Sequence, residues 1–210
     1  TSLAIIAREL AARGIEIPPE HQAVVHRVIH ATADFDYAAN LRFTPGAAAK
    51  GGAALAAGCA IVTDTNMALA GVSKPALAKL GGAAYCYMAG PAVAAAAKAA
   101  GTTRAVAAMG HAAAAHPGAV FAVGNAPTAL FALCDAMERG DFRPALVIGV
   151  PVGFVNVVES KERLMEVCQR LGVPAIAAMG RKGGSSVAAA ICNALLYTAA
   201  GQLDPAARGW

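Results

Sequence analysis

Apolar residues recur along this chain with two different periods, and the change from one to the other predicts its architecture. Leu3, Ile6 and Leu10 fall at helical spacing and the run stops at Gly14, so the pattern predicts a helix over 2–13. Pro18-Pro19-Glu20 opens a second helix reaching about Thr32, with Val24, Val25, Val28 and Ile29 on its buried side, and 47–57 is a third, closed by Gly58. From Cys59 onward, short apolar runs of strand length (59–63, 84–88, 119–123, 145–149 and 174–178) alternate with longer helical segments (91–100, 104–114, 127–139, 160–171 and 185–198). Strands apolar on both faces, each followed by a crossover long enough for a helix, describe a parallel sheet covered on both sides. The expected fold is α/β: a three-layer sandwich around a five-stranded parallel sheet, flavodoxin-like, with N-terminal helices. No repeat, linker or charge run interrupts the pattern, so residues 1–210 are expected to form one domain.

Composition narrows the possibilities. The 210 residues are 57% hydrophobic, 14% charged and only 5% aromatic, which supports a core of small side chains. A net charge of +4 on so apolar a chain excludes disorder. The mean hydropathy of +0.52 raises the question of a membrane span. The two most apolar stretches, 119–134 and 145–155, are short or broken by Asn125, Pro127, Pro151 and Gly153, whereas a span needs roughly 18 or more unbroken residues. A soluble protein without a membrane partner is therefore expected. Cys59, Cys86, Cys134, Cys168 and Cys192 are odd in number and scattered, with no CxxC or Cys/His cluster, and read as buried thiols of a reducing compartment. With no signal-type segment ahead of them, the cytoplasm is the expected location; the lack of an initiator Met suggests that leading residues were removed or lie outside this sequence. The 17 basic residues form no stripe interleaved with aromatics, which argues against nucleic acid and suits a small, multiply anionic ligand.

In such sheets the ligand lies beyond the carboxyl ends of the strands. Those ends read Thr63-Asp64-Thr65-Asn66, Met88-Ala89-Gly90-Pro91, Gly124-Asn125-Ala126-Pro127-Thr128, Gly149-Val150-Pro151-Val152-Gly153 and Met179-Gly180-Arg181-Lys182-Gly183-Gly184-Ser185, so polar and conformationally special residues gather at one edge. The 124–128 segment suits either a helix N-terminus whose backbone N–H groups hold a carboxylate or phosphate, or a plain strand-to-helix turn. The 180–185 segment is a basic, glycine-rich loop of the same kind. Neither GxGxxG nor GxxxxGK[ST] occurs, which argues against NAD and ATP. Arg27 and His30 share one face of the second helix, where they could recognise an anion and transfer a proton. His26 and His30 have an i,i+4 spacing that zinc sites use, but no third ligand follows, so no metal is expected. His21, His26, His111 and His116 also suit satisfied or solvated positions. Arg104, after Thr102-Thr103, either anchors an acidic ligand or faces water. Glu159-Ser160-Lys161-Glu162 reads either as a helix start with intrahelical charge pairs or as a ligand contact.

Together these strings resemble the precorrin-8X methylmutase (cobalt-precorrin-8 methylmutase) family. The resemblance is carried in order by 28–37 (Val28-Ile29-His30-Ala31-Thr32-Ala33-Asp34-Phe35-Asp36-Tyr37), 61–67, Gly124-Asn125-Ala126-Pro127-Thr128, 144–155, Glu159-Ser160-Lys161 and Gly180-Arg181-Lys182-Gly183-Gly184-Ser185, over nearly the whole chain. It implies an isomerase of corrin-ring (vitamin B12) biosynthesis that moves a methyl group from C11 to C12 of the macrocycle with no external donor and no cofactor. It also implies a flavodoxin-like homodimer with the macrocycle near the subunit interface, and a hand-off to neighbouring pathway enzymes. His30 takes the position of the catalytic histidine, and Ser2 and Arg27 those of a substrate-contacting serine and arginine. Two departures accompany the resemblance: the sequence starts at the Ser-x-x-Ile-Ile motif without the residues that usually precede it, and Ala105 follows Thr103-Arg104 where the family more often has Ser.

The reaction implied is a suprafacial 1,5-methyl shift, which needs electron demand at the migration terminus. Protonation of the conjugated ring by His30 would supply it, since imidazole titrates near neutrality. Carboxylates on the substrate rim would be held by Arg27, Arg104, the helix N-terminus at Asn125, Ala126 and Thr128, and the amides of Gly183, Gly184 and Ser185. A non-catalytic corrinoid carrier of the same fold would keep the anion-binding loops without needing His30, and a nucleotide-dependent oxidoreductase is a more remote reading.

Overall fold

In the computed structural model, which describes residues 1–208, a six-stranded sheet divides two layers of helices. The chain begins with α1 (Ser2–Ala12), α2 (Pro19–Thr32) and a short α3 (Tyr37–Asn40), which leads into β1 (Leu41–Phe43) and α4 (Ala47–Ala56). Then follow β2 (Ile61–Thr63), α5 (Asn66–Gly71), α6 (Lys74–Lys79), β3 (Ala84–Cys86), α7 (Pro91–Ala99), α8 (Arg104–Ala115), β4 (Val120–Val123) and α9 (Pro127–Glu138). The last elements are β5 (Leu146–Gly149), α10 (Val157–Leu171), β6 (Ala175–Ala178), α11 (Ser185–Ala199) and a 3₁₀ turn (Pro205–Arg208). No helix among the described residues is long and apolar enough to cross a membrane.

Strand order is β1-β6-β5-β4-β2-β3, with every neighbouring pair parallel except β1 and β6. The expectation of five parallel strands is corrected to a mixed sheet of six. Leu41-Arg42-Phe43 escaped the apolar pattern because it is only three residues long and Arg42 faces solvent at the sheet edge. The edge is nevertheless fixed. Thr44 N–H donates to Ala175 O at 3.0 Å, and the buried Thr44 Oγ1 accepts from Ala175 N–H at 2.8 Å, which closes the β1–β6 ladder.

Side chains alternate across the central strands, as a period of two requires. Val120, Ala122, Leu146, Ile148 and Ile176 point into one core with α1, α2, α4, α5, α6 and α11. Phe121, Val123, Val147 and Ala175 point into the other, with α7, α8, α9 and α10. The helices α5 and α6 were absent from the apolar pattern; each is a short helix capped by a hydroxyl, Thr65 Oγ1 accepting from Ala68 N–H and Ser73 Oγ from Ala76 N–H. The α10 helix starts three residues before its expected position because Asn156 adopts a left-handed conformation (φ 57°) that turns the chain into it. In α2, Pro19 occupies the first helical turn, and Ala33 (φ 54°) ends the helix with its N–H on Ile29 O. That stop leaves His30 in the last turn, facing solvent beside the buried Val28 and Ile29.

Replacing the Thr44 hydroxyl with a methyl group strands the buried Ala175 N–H. Thr44→Val should therefore lose about 1–3 kcal/mol of stability, read as a lower urea midpoint with an unchanged m value; an unchanged midpoint would show that this bond does not hold the edge strand.

Candidate active site

The strand order reverses at β2, whose connections lead outward to β3 while β4 lies on its other side, so a crevice opens at the carboxyl ends of β2 and β4. Asp64, the residue after β2, is 1% exposed there. Its carboxylate accepts N–H bonds from Gly124 (2.8 Å), Asn125 (2.9 Å) and Ala126 (2.8 Å) at the mouth of α9. Burial pushes the Asp64 carboxyl above its ordinary range, and the three N–H donors pull against that shift. The sequence suggested that these amides at Asn125 and Ala126 would hold a substrate carboxylate; that expectation is corrected, because the protein's own carboxylate already occupies them.

The 180–185 loop is built against this turn. A Cβ on Gly124 would lie 2.8 Å from Ser185 Cα and 2.9 Å from Gly184 O, so only glycine lets the two loops touch. The contact is sealed by Thr65 Oγ1 and Ser185 Oγ, 2.7 Å apart. Gly183 would drive a Cβ into the Val150 carbonyl, and Gly184 N–H donates to Val150 O at 2.8 Å. The amide of Gly184, expected to bind substrate, is thus engaged inside the protein.

Beneath the loop lies Lys161, completely buried in α10, whose Nζ donates to Gly180 O and Lys182 O, each at 2.8 Å. Burial lowers its ammonium to a pKa of about 8. Of the two readings of 159–162, intrahelical charge pairs or ligand contact, Lys161 makes neither: its ammonium is taken up by the loop backbone. The neighbouring Lys182 faces outward and bonds Asp34 (2.7 Å) and Asp36 (2.6 Å), carboxylates that lower its tendency to lose a proton. Through it the glycine-rich loop is tied to the segment that follows His30.

His30 and Ser2 share an open cleft of about 220 Å³, lined also by Ile5, Ile6, Glu9, Ile29 and Phe35. Arg27 lines the adjoining cleft with Leu3 and His26 instead. Its guanidinium lies 5.0 Å from the Tyr197 ring centroid, a ring also covered by Arg208 at 4.0 Å. Burial and then the Arg208 charge lower the Arg27 pKa. Arg104 is exposed at the first turn of α8, whose N-cap Thr103 Oγ1 donates to Thr128 Oγ1 at 3.4 Å, so Arg104 and Thr128 belong to one rim. The structure therefore gathers Arg104, Asn125, Ala126, Thr128, Gly183, Gly184 and Ser185 at the sheet edge and Ser2 with His30 in the α1–α2 cleft, joined through Lys182. Sequence reasoning left Asp64 without a role and did not foresee that Lys161 holds the 180–182 backbone. Lys161 did carry a signal: it stands at the helical spacing of Val157, Leu164 and Cys168, a cation on the apolar stripe.

Residues 1–198 match the family model described as precorrin-8X methylmutase. The cobalt-precorrin-8 methylmutase of Salmonella typhimurium is 48% identical over 180 residues, covering 85% of this chain and 82% of its own. The precorrin-8X methylmutase of Pseudomonas aeruginosa is 44% identical over 194 residues, covering 92% and 91%. Among solved structures, the precorrin-8X methyl mutase from Thermus thermophilus matches with a TM-score of 0.87 and 44% identity, covering 97% of this chain and 96% of that one.

Converting Asp64 to Asn replaces one acceptor oxygen by a donor amide facing N–H groups. Asp64→Asn should lose about 3 kcal/mol in chemical denaturation and loosen the 124–126 amides to hydrogen exchange; wild-type protection at those amides would contradict the role given to the carboxylate.

Proposed function

Because this chain belongs to the precorrin-8X methylmutase family and is an isomerase of cobalamin biosynthesis, we propose that His30 protonates the macrocycle and so drives a 1,5-shift of a methyl group from C11 to C12. The substrate is precorrin-8X, giving hydrogenobyrinic acid, or cobalt-precorrin-8, giving cobyrinic acid. The observation that carries the role of His30 is its placement: an exposed imidazole in the last turn of α2, sharing an otherwise largely apolar cleft with the Ser2 hydroxyl. An apolar wall suits the face of a conjugated ring, and an imidazole beside it can pass a proton to that ring. No covalent intermediate is required; the protein binds the ring rigidly, delivers a proton to the conjugated system, and takes it back after migration.

The rim cations would hold the acidic fringe of the substrate. Arg104 at the α8 mouth presents an exposed guanidinium beside Thr128, and Asn125, Gly183 and Ser185 border the same crevice. Arg27, packed against Tyr197, reaches the substrate from the adjoining cleft. A cleft of about 220 Å³ is smaller than the roughly 300–1,000 Å³ of ordinary small-molecule sites. A second copy of the chain would supply the missing wall, which supports a homodimer with the site near its interface; an open site of this kind also permits product hand-off to the next enzyme. The five cysteines are free thiols, Cys59 and Cys86 half-buried and the others buried, and burial pushes those of Cys134, Cys168 and Cys192 up to about 12, so these three stay protonated and unreactive; a cytoplasmic setting fits this reading. A non-catalytic carrier is not favoured, since the matching relatives are named as methylmutases.

His30→Ala or His30→Asn should lower turnover of precorrin-8X by about 10²–10⁴-fold while leaving corrinoid binding intact, followed by the spectral change to the fully conjugated product; undiminished turnover removes His30 as proton donor. Arg104→Ala should raise KM more than it lowers kcat, and an unchanged KM in steady-state kinetics would contradict its place on the rim.

A further inference from the structure

The 180–185 loop has its backbone turned inward to an unusual degree. Gly180 O and Lys182 O accept from Lys161 Nζ at 2.8 Å each, and Arg181 O, between them, accepts from Gly153 N–H at 3.2 Å. With two of these carbonyls held by a buried ammonium and the one between them by the β5–α10 loop, the side chains of Arg181 and Lys182 both stand in solvent. Their situations differ. Lys182 is matched by Asp34 and Asp36, whereas Arg181 makes no ion pair among the described residues. Its guanidinium instead lies 5.3 Å from the ring centroid of Phe154, which is 83% exposed on the β5–α10 loop. Val152 and Val155 on that loop are also exposed, at 48% and 76%. An apolar surface of this kind, next to a crevice, marks a place that something else covers.

A guanidinium resting its face on an aromatic ring keeps its N–H edge free for a planar anion, and a carboxylate fits that edge in bidentate fashion. We propose that Arg181 is a further substrate-binding residue: it holds a carboxylate of the substrate rim while Phe154 covers the adjoining apolar edge of the ring, and Lys161 is the positioning residue that sets it there. This rests on the methylmutase reading and extends it to a residue outside the rim described so far. The occupant is the acidic, conjugated macrocycle because both halves of its chemistry, fringe carboxylate and flat apolar ring, meet complementary groups within one cation–ring pair.

Hydrogenobyrinic acid titrated into the full chain and followed by absorbance tests this, with sedimentation velocity on the same samples. Arg181→Ala should weaken binding about tenfold or more, and Arg181→Lys should recover only part of it, since an ammonium lacks the bidentate edge. In turnover the loss should fall on KM and leave kcat nearly unchanged. Lys161→Met should weaken binding as well, and combined with Arg181→Ala it should cost less than the product of the two single losses, as expected for a residue acting through another. Binding by Arg181→Ala that equals wild type overturns the proposal while leaving the methylmutase reading in place. A change of oligomeric state in Arg181→Ala overturns it too, by assigning the patch to contact between copies. Failure of the wild-type protein to bind the corrinoid overturns both.

Discussion

A carboxylate buried at the end of β2 accepts hydrogen bonds from three consecutive amides at the end of β4, and the crevice rim is arranged around that interaction. Removing a charge from water costs several kcal/mol, so it persists only where its bonds are satisfied. Asp64 meets the condition with backbone donors, which fixes the path of the chain into α9 more firmly than a side-chain partner would. Lys161 meets it from the opposite side with two backbone acceptors. One buried anion thus holds the 124–126 turn, one buried cation holds the 180–182 loop, and Gly124 lets the two segments touch. The rim is organised before any ligand arrives, which is what a reaction dependent on orienting a large ring requires.

These internal charges also decide which polar groups remain for a substrate. The amides of Asn125, Ala126 and Gly184 are bonded within the protein, and Lys182 is neutralised by Asp34 and Asp36. In the proposed function, recognition of an acidic ligand would then fall to guanidinium groups, which lose little by pairing with carboxylates at a partly wet surface. The same Lys182 bridge ties the loop to the segment following α2, so the position of His30 and the rim are mechanically connected.

Much of the architecture was legible in the sequence. The long helices and the central strands follow from apolar period alone, because β4, β5 and β6 are buried on both faces and α2 on one. What escaped was short or edge-like: β1, with Arg42 in its middle, and α5 and α6, whose single hydroxyl caps leave no long stripe. Pairing of β1 depends on Thr44 and Ala175, residues 131 positions apart, which no local pattern reports. At the site, the edge at which polar residues gather was visible, while the catalytic role proposed for His30 came from family resemblance and not from any local pattern. The occupancy of the anion-binding turn was not. A helix N-terminus looks the same in sequence whether it awaits a ligand or faces an Asp 60 residues away, and only the topology that sets β2 beside β4 resolves it.

The proposed chemistry requires a single imidazole to meet a macrocycle pinned by its acidic fringe across this rim. A crystal structure of the full chain with hydrogenobyrinic acid bound tests it most directly. It should show the His30 ring within hydrogen-bond reach of the C11–C12 region, directly or through one water, with substrate carboxylates against rim arginines. A macrocycle bound elsewhere, or His30 turned away from it beyond the reach of a bridging water, would contradict the account.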